Sequence, residues 1–186
     1  MTSLRILLLV LLACCSSDSK DKKGAVTATT TPPEKPVTDT AEPQQTLGLK
    51  NGVVHNGVLL GGQPTDEQIR AAKDSGFATI ITLRTSDEPG FDDERELVES
   101  LGMKWVSIPV HGKDGLTVEN AEAFAMATEG ESVLAHCASG NRIGALIAIK
   151  AKLDGRTASE ALGLGKKTGL TGLETAVKDM LDSMEK

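Results

Sequence analysis

The stretch HCASGNRIG, residues 136–144, places Cys137 and Arg142 on either side of Ala-Ser-Gly-Asn, between a short apolar run and a long one. A cysteine in such a place can pack as a small hydrophobe, ligate a metal or attack an electrophile. The metal reading is the weakest of the three. The chain's cysteines are Cys14, Cys15 and Cys137, no pair of CxxC units exists, and His55, His111 and His136 are scattered. A strand-to-helix loop favours the nucleophile instead. The start of a helix exposes unpaired N–H groups and the positive end of the helix dipole, and both attract an anion. Gly140 lets the backbone curl so that several amides point inward as an anion-binding nest. Arg142 can add a planar fork of donors suited to an oxyanion. Each residue alone has a plainer use: Cys137 as packing, Arg142 as a solvated first-turn residue, His136 as a packed residue that orients the loop. Cysteine, glycine and arginine together in one loop favour a catalytic site.

Such a loop needs a strand before it and a helix after it, and the flanking sequence supplies both. SVLAHC (132–137) is a buried strand and RIGALIAIKAKLDG (142–155) a strongly apolar helix. Upstream, VVHNGVLLGG (53–62) predicts two short strands around an Asn56–Gly57 turn. Thr65 with Gln68 opens a helix that runs to Ser75, and FATIITLR (77–84) is a strand buried on both faces. DDERELVESLG (92–102) is a helix with an acidic first turn, and MKWVSIPV (103–110) is a further strand. Thr117 caps a helix to about Thr128, while TASE (157–160) and TGLE (171–174) each begin another with a capping box. Strands alternating with helices predict an α/β fold in three layers, a mostly parallel sheet with helices on both faces. The cysteine loop then sits at the carboxyl end of a strand, where open α/β sheets place their sites.

Composition narrows the function further. The 186 residues are 39% hydrophobic and 25% charged, which is enough for one globular domain plus extensions. With no Tyr, one Trp and three Phe, the core must be built from Leu, Ile, Val and Ala. The net charge is -6 and the densest charge run, SDEPGFDDERELVES (86–100), is mostly acidic. No basic stripe is present, which argues against nucleic acid as a partner.

The first residues, MTSLRILLLVLLACCSS, carry one arginine and an apolar run too short to span a bilayer but fit for an export signal. LLAC (11–14) resembles the lipobox of bacterial lipoproteins, with Cys14 as the lipidated residue. Cys15 fits poorly because another cysteine precedes it, and a cleaved secretory signal without lipid is the plainer alternative. Residues 1–13 are therefore expected to be a signal peptide and 14–48 a Ser/Thr/Pro-rich tether. The working domain is expected over 49–186, on an exported protein held to a membrane by its lipid.

HCASGNR, with GGQPT (61–65), TIITLR (79–84) and IPV (108–110) upstream, resembles the cysteine-dependent tyrosine and dual-specificity phosphatase superfamily. It is most similar to the bacterial beta-lactamase-hydrolase-like, phosphatase-like branch, from about residue 53 to about 180. GLT and the closing helix (169–185) resemble that branch as well. The resemblance implies a Cys137 nucleophile, an Arg142 oxyanion clamp and a cradle of amides from Ala138, Ser139, Gly140, Asn141 and Arg142. It implies Asp114 as general acid in VHGKDGLT (110–117), with His111 as rival donor and a turn-forming Asp as the plainer alternative. Arg84, at the end of a strand, either faces the same pocket or pairs with the acidic run. The implied reaction takes a phosphorylated small molecule or phosphoprotein and needs no metal or other cofactor.

Two departures from the family pattern stand out. Ordinary phosphatases of this superfamily carry one more residue between cysteine and arginine, and a shorter loop also resembles that of rhodaneses, which pass sulfur through a cysteine persulfide. The hydroxyl residue that usually follows the arginine is Ile143 here. A sulfurtransferase using Cys137, or a non-catalytic anion-binding module, are the alternative functions.

Overall fold

Buried β-branched and leucine runs form the centre of the protein. In the computed structural model, which describes residues 46–130 and 132–184, a five-stranded sheet has the order β1-β2-β5-β3-β4. The strands are β1 (Val53–His55), β2 (Val58–Gly61), β3 (Thr79–Thr82), β4 (Lys104–Ser107) and β5 (Val133–His136). β1 pairs antiparallel with β2 through the Asn56–Gly57 turn, and every other pairing is parallel. β5 lies in the middle, with Ala135 level with Leu60 on one side and Ile81 on the other. The expected signal peptide and Cys14 fall outside the described residues. Residues 46–48, assigned above to the tether, belong to the domain. Gln68 Nε2 donates to Leu47 O at 3.1 Å, and Leu47 packs against the core.

Alternation along the strands divides the core into two layers, because neighbouring side chains point to opposite faces. Leu59, Ile80 and Leu134 face Ile69 and Ala72 of α1 (Asp66–Asp74) and Val98 of α2 (Phe91–Ser100). Leu60, Ile81 and Ala135 face the other layer, formed by α3 (Val118–Ala127), α4 (Asn141–Leu153), α5 (Ala158–Lys167) and α6 (Glu174–Ser183). The protein is thus an α/β fold with a mostly parallel sheet between helices. α4 is the most deeply set helix, with Ile143, Leu146 and Ile149 fully buried. Each such side chain stabilises the fold by about 1.5–3 kcal/mol. α4 and α5 approach so closely that a Cβ on Gly144 would lie 2.5 Å from Gly165 O, and one on Gly165 2.7 Å from Gly144 O. This contact fixes the helix that carries the arginine.

Three capping predictions hold: Thr65, Thr117 and Thr157 each accept from the amide three residues on. The fourth is corrected. α6 begins at Glu174 with no side-chain cap: Glu174 N donates to the Thr171 carbonyl, and the Thr171 amide that Glu174 would have accepted goes, with that of Leu173, to Asn141 Oδ1, at 2.8 and 3.3 Å. An acceptor distant in sequence has displaced the local one.

Candidate active site

The loop after β5 is held from outside so that its amides turn inward. Cys137 N donates to Gly61 O at 3.3 Å, and Gly62 bridges Ser139. Gln63 N reaches Ala138 O at 3.5 Å, and Asn51 Nδ2 donates to Ser139 O at 2.9 Å. In a planar trans peptide the carbonyl and the following N–H point opposite ways. Carbonyls of Ala138 and Ser139 tied outward therefore aim the amides of Ser139 and Gly140 into the ring. Gly140 N does point in, donating to Cys137 Sγ at 3.1 Å. Gly140 caps α4 at φ 85°, a left-handed conformation that costs glycine little and other residues more. The first i→i−4 bond of α4 is Gly144 N to Gly140 O, so the amides of Asn141 and Arg142 precede the helix's own acceptors. GGQ (61–63) and Asn51 thus brace the cradle, a role for Asn51 that the sequence did not signal.

Arg142 enters from the first turn of α4. Its Nη1 donates to Glu88 Oε1 at 2.5 Å, to Leu83 O at 3.0 Å and to Val110 O at 3.2 Å, and Nη2 donates to Glu88 Oε2 at 2.8 Å. Of the five guanidinium N–H groups, those on Nη1 and one on Nη2 are occupied. Nε–H and the second Nη2–H remain on one edge as a side-on fork for an oxyanion, and Cys137 is the further hydrogen-bond partner of the Arg142 side chain. Hydrogen bonds to Arg142 hold the Glu88 carboxyl down at about 2, and the same bonds raise the Arg142 guanidinium above its ordinary value. The proximity of Cys137 raises Arg142 further. Glu88 was missed as a site residue. The available signal was its place in the acidic run between β3 and α2.

Arg84 does not line the cavity, contrary to the first of its two expected roles. Its side chain is 2% exposed, with Nη1 donating to Glu94 Oε2 at 3.0 Å and Nη2 to Pro89 O at 2.5 Å. It pairs with the acidic run, because a buried guanidinium needs a carboxylate and α2 presents Glu94 to it. His136 is fully buried behind the loop, with Nε2 2.6 Å from Glu94 Oε1.

Above the loop lies an open cavity of about 680 Å³. Its walls are Thr85, Asp87 and Glu88 after β3, residues 110–114 after β4, the loop residues Ala138, Ser139, Asn141 and Arg142, and Leu173. Cys137 itself is 1% exposed and lies outside this lining. Both proposed proton donors, Asp114 and His111, stand on the one wall. Their loop is bent back by Gly115 N donating to His111 O at 3.0 Å, and Asn120 Nδ2 anchors Gly115 O at 2.9 Å. Asp87, also in the lining, is lowered by hydrogen bonds from Thr85 and from its own backbone, with a smaller contribution from His111.

Against known proteins, the model of the family described as a DSP-PTPase phosphatase fused to NAD+ kinase matches residues 30–179. The chain belongs to this family. Beta-lactamase hydrolase-like proteins from two strains of Xylella fastidiosa are 38% identical over 120 residues, covering 59% of this chain and 27% of theirs. The chain therefore spans about a quarter of those relatives' length. A candidate phosphatase of Neisseria meningitidis superposes with a TM-score of 0.59 at 23% identity, over 74% of this chain and 97% of that one. The catalytic domain of the PP-IP phosphatase SIW14 from S. cerevisiae gives 0.54 at 17% identity, over 74% and 88%. At such identities the likeness is one of fold. Within this phosphatase family setting, Ile143 stands out: it is fully buried against the sheet and offers the cradle no hydroxyl.

Proposed function

We propose that the chain hydrolyses a phosphate monoester through a cysteinyl-phosphate on Cys137. The observation that carries this is the pairing of an inward Gly140 amide on Sγ with an Arg142 whose free edge is a side-on fork. In the first step the thiolate attacks phosphorus, the P–O bond to the alcohol breaks, and the leaving oxygen takes a proton from Asp114. In the second, water attacks the cysteinyl-phosphate, Asp114 takes a proton back, and phosphate leaves with Cys137 restored. The cradle amides and Arg142 bear the charge on the equatorial oxygens throughout. With Ile143 in place of a hydroxyl, the second step is the slower one, so a burst of alcohol should precede steady turnover.

The test is a small aryl phosphate, with phosphate trapped in stoichiometric amount on Cys137. A second reading, sulfur transfer through a Cys137 persulfide, is favoured by the short Cys-to-Arg spacing and by Ile143. In that case thiosulfate loads the cysteine, cyanide unloads it and Asp114 is idle. Thiosulfate turnover without aryl phosphatase activity would overturn the phosphatase reading, and neither activity would leave an anion-binding module. The substrate we propose is a phosphorylated small molecule or phosphoprotein outside the cytoplasm. The chain would reach it from a lipid on Cys14, with no nucleic acid involved; Cys14→Ser should then release the protein from membranes.

A further inference from the structure

We infer that Arg84 and Glu94 are positioning residues that set the geometry of the anion loop from behind. They complete a connected series of polar side chains from His136, at the loop's entrance, to Arg142, at its exit. The inference rests on the phosphatase reading of that loop. His136 Nε2 is 2.6 Å from Glu94 Oε1, and Glu94 Oε2 accepts from Arg84 Nη1 at 3.0 Å. Arg84 Nε is 3.5 Å from Glu88 Oε2, the carboxylate whose two oxygens take the Arg142 fork at 2.5 and 2.8 Å. Glu88 is thus the joint, drawn by one arginine on each side. Arg84 and Glu88 come from the connection between β3 and α2 and Glu94 from the first turn of α2, so one segment, residues 84–94, reaches both loop ends.

Core stability does not explain this arrangement. Arg84, Glu94 and His136 are at most 4% exposed, and taking such groups out of water is costly even when they are paired. Among the described residues His136 Nδ1 and Nε2, Glu94 Oε1 and Arg84 Nε make no hydrogen bond. The His136–Glu94 and Arg84–Glu88 links are therefore close contacts without hydrogen-bond geometry, and the network is not arranged for full satisfaction. Apolar residues of the same size would fill this space more cheaply. What a chain of charges supplies and an apolar filling does not is direction: it fixes the Glu88 carboxylate, and through it which edge of Arg142 stays free.

The experiment measures how well inorganic phosphate protects Cys137 of the full chain from iodoacetamide, a readout that needs no turnover. Glu94→Gln should weaken protection roughly tenfold, as coupling between residues of one network does. Once Glu88→Gln is in place, the same change should have little further effect, because the route to Arg142 is already cut. Val98→Ala, which removes a fully buried apolar side chain from the same helix, should lower the melting temperature and leave protection intact. Should Glu94→Gln fail to fold, Gln63→Ala removes a 3.3 Å donor to Glu94 and should show a smaller loss with the same dependence on Glu88. Additive losses, or a Val98→Ala variant as poorly protected as Glu94→Gln, overturn the inference alone. A native chain that phosphate does not protect overturns the phosphatase reading and this inference with it.

Discussion

Two connections wall the cavity, and they are built in opposite ways. The segment from β3 to α2 is tied down by charge: Arg84 and Glu94 are buried, and Glu88 grips Arg142 with both oxygens. The segment from β4 to α3 presents His111, Lys113 and Asp114 to solvent and is held by backbone turns and the Asn120 side chain. The difference follows the work each would do. A clamp for an oxyanion must keep its direction before the anion arrives, because reorienting it during the reaction costs energy. A proton donor must instead meet leaving groups of different shapes and exchange its proton with water.

Breaking the clamp should have the largest effect. Arg142→Ala is expected to weaken phosphate protection of Cys137 by about 2–5 kcal/mol, since it also strands the Glu88 carboxylate. Isothermal titration with phosphate checks this, and a loss below tenfold would show that the cradle amides carry the site alone. The exposed wall should matter selectively. Asp114→Asn should slow alkyl phosphates by about a hundredfold while barely changing a nitrophenyl ester, whose oxygen leaves without a proton. If His111→Ala shows that selectivity instead, the donor is His111.

A pH titration sharpens the same comparison. The Glu88 carboxyl is lowered from 4.5 to about 2 by its bonds to Arg142. Its stabilising contribution is therefore complete above 4.5 and disappears as the pH falls toward about 2. Unfolding midpoints should drop through that acid window in the native chain and drop less in Glu88→Gln. A smaller effect is expected at the far wall. Asn141→Ala frees the amides of Thr171 and Leu173 at a cost of about 1 kcal/mol. It should raise KM for esters with bulky leaving groups more than it changes phosphate protection, because Leu173 lines the cavity while the cradle amides stay in place.

The layered α/β order was readable because its signals are local. The continuous apolar runs VLAH and TIIT, the Thr65 and Thr157 capping boxes, and the strongly apolar α4 all act within a few residues. The failures are places where a distant group outbid a local one. TGLE looks like a helix start, yet Asn141, thirty positions upstream of Thr171, takes the Thr171 amide that the Glu174 carboxylate would have accepted in a capping box. Arg84 looks like a pocket residue from its place at a strand end, and only the approach of α2 decides that Glu94 claims it.

The sequence by itself determined the cysteine, the glycine that lets the loop curl, and the arginine after it, together with a strand and helix able to hold them. Their chemistry is written in residue types and short spacings, which survive without knowledge of the rest of the chain. Only the tertiary structure decided which donors of Arg142 are free, since Glu88 lies fifty-four positions away and its carboxylate arrives through the packing of the β3–α2 connection against α4. Hydrogen bonds depend on direction over a few ångströms, and no one-dimensional pattern encodes where two separate turns of chain will place an oxygen.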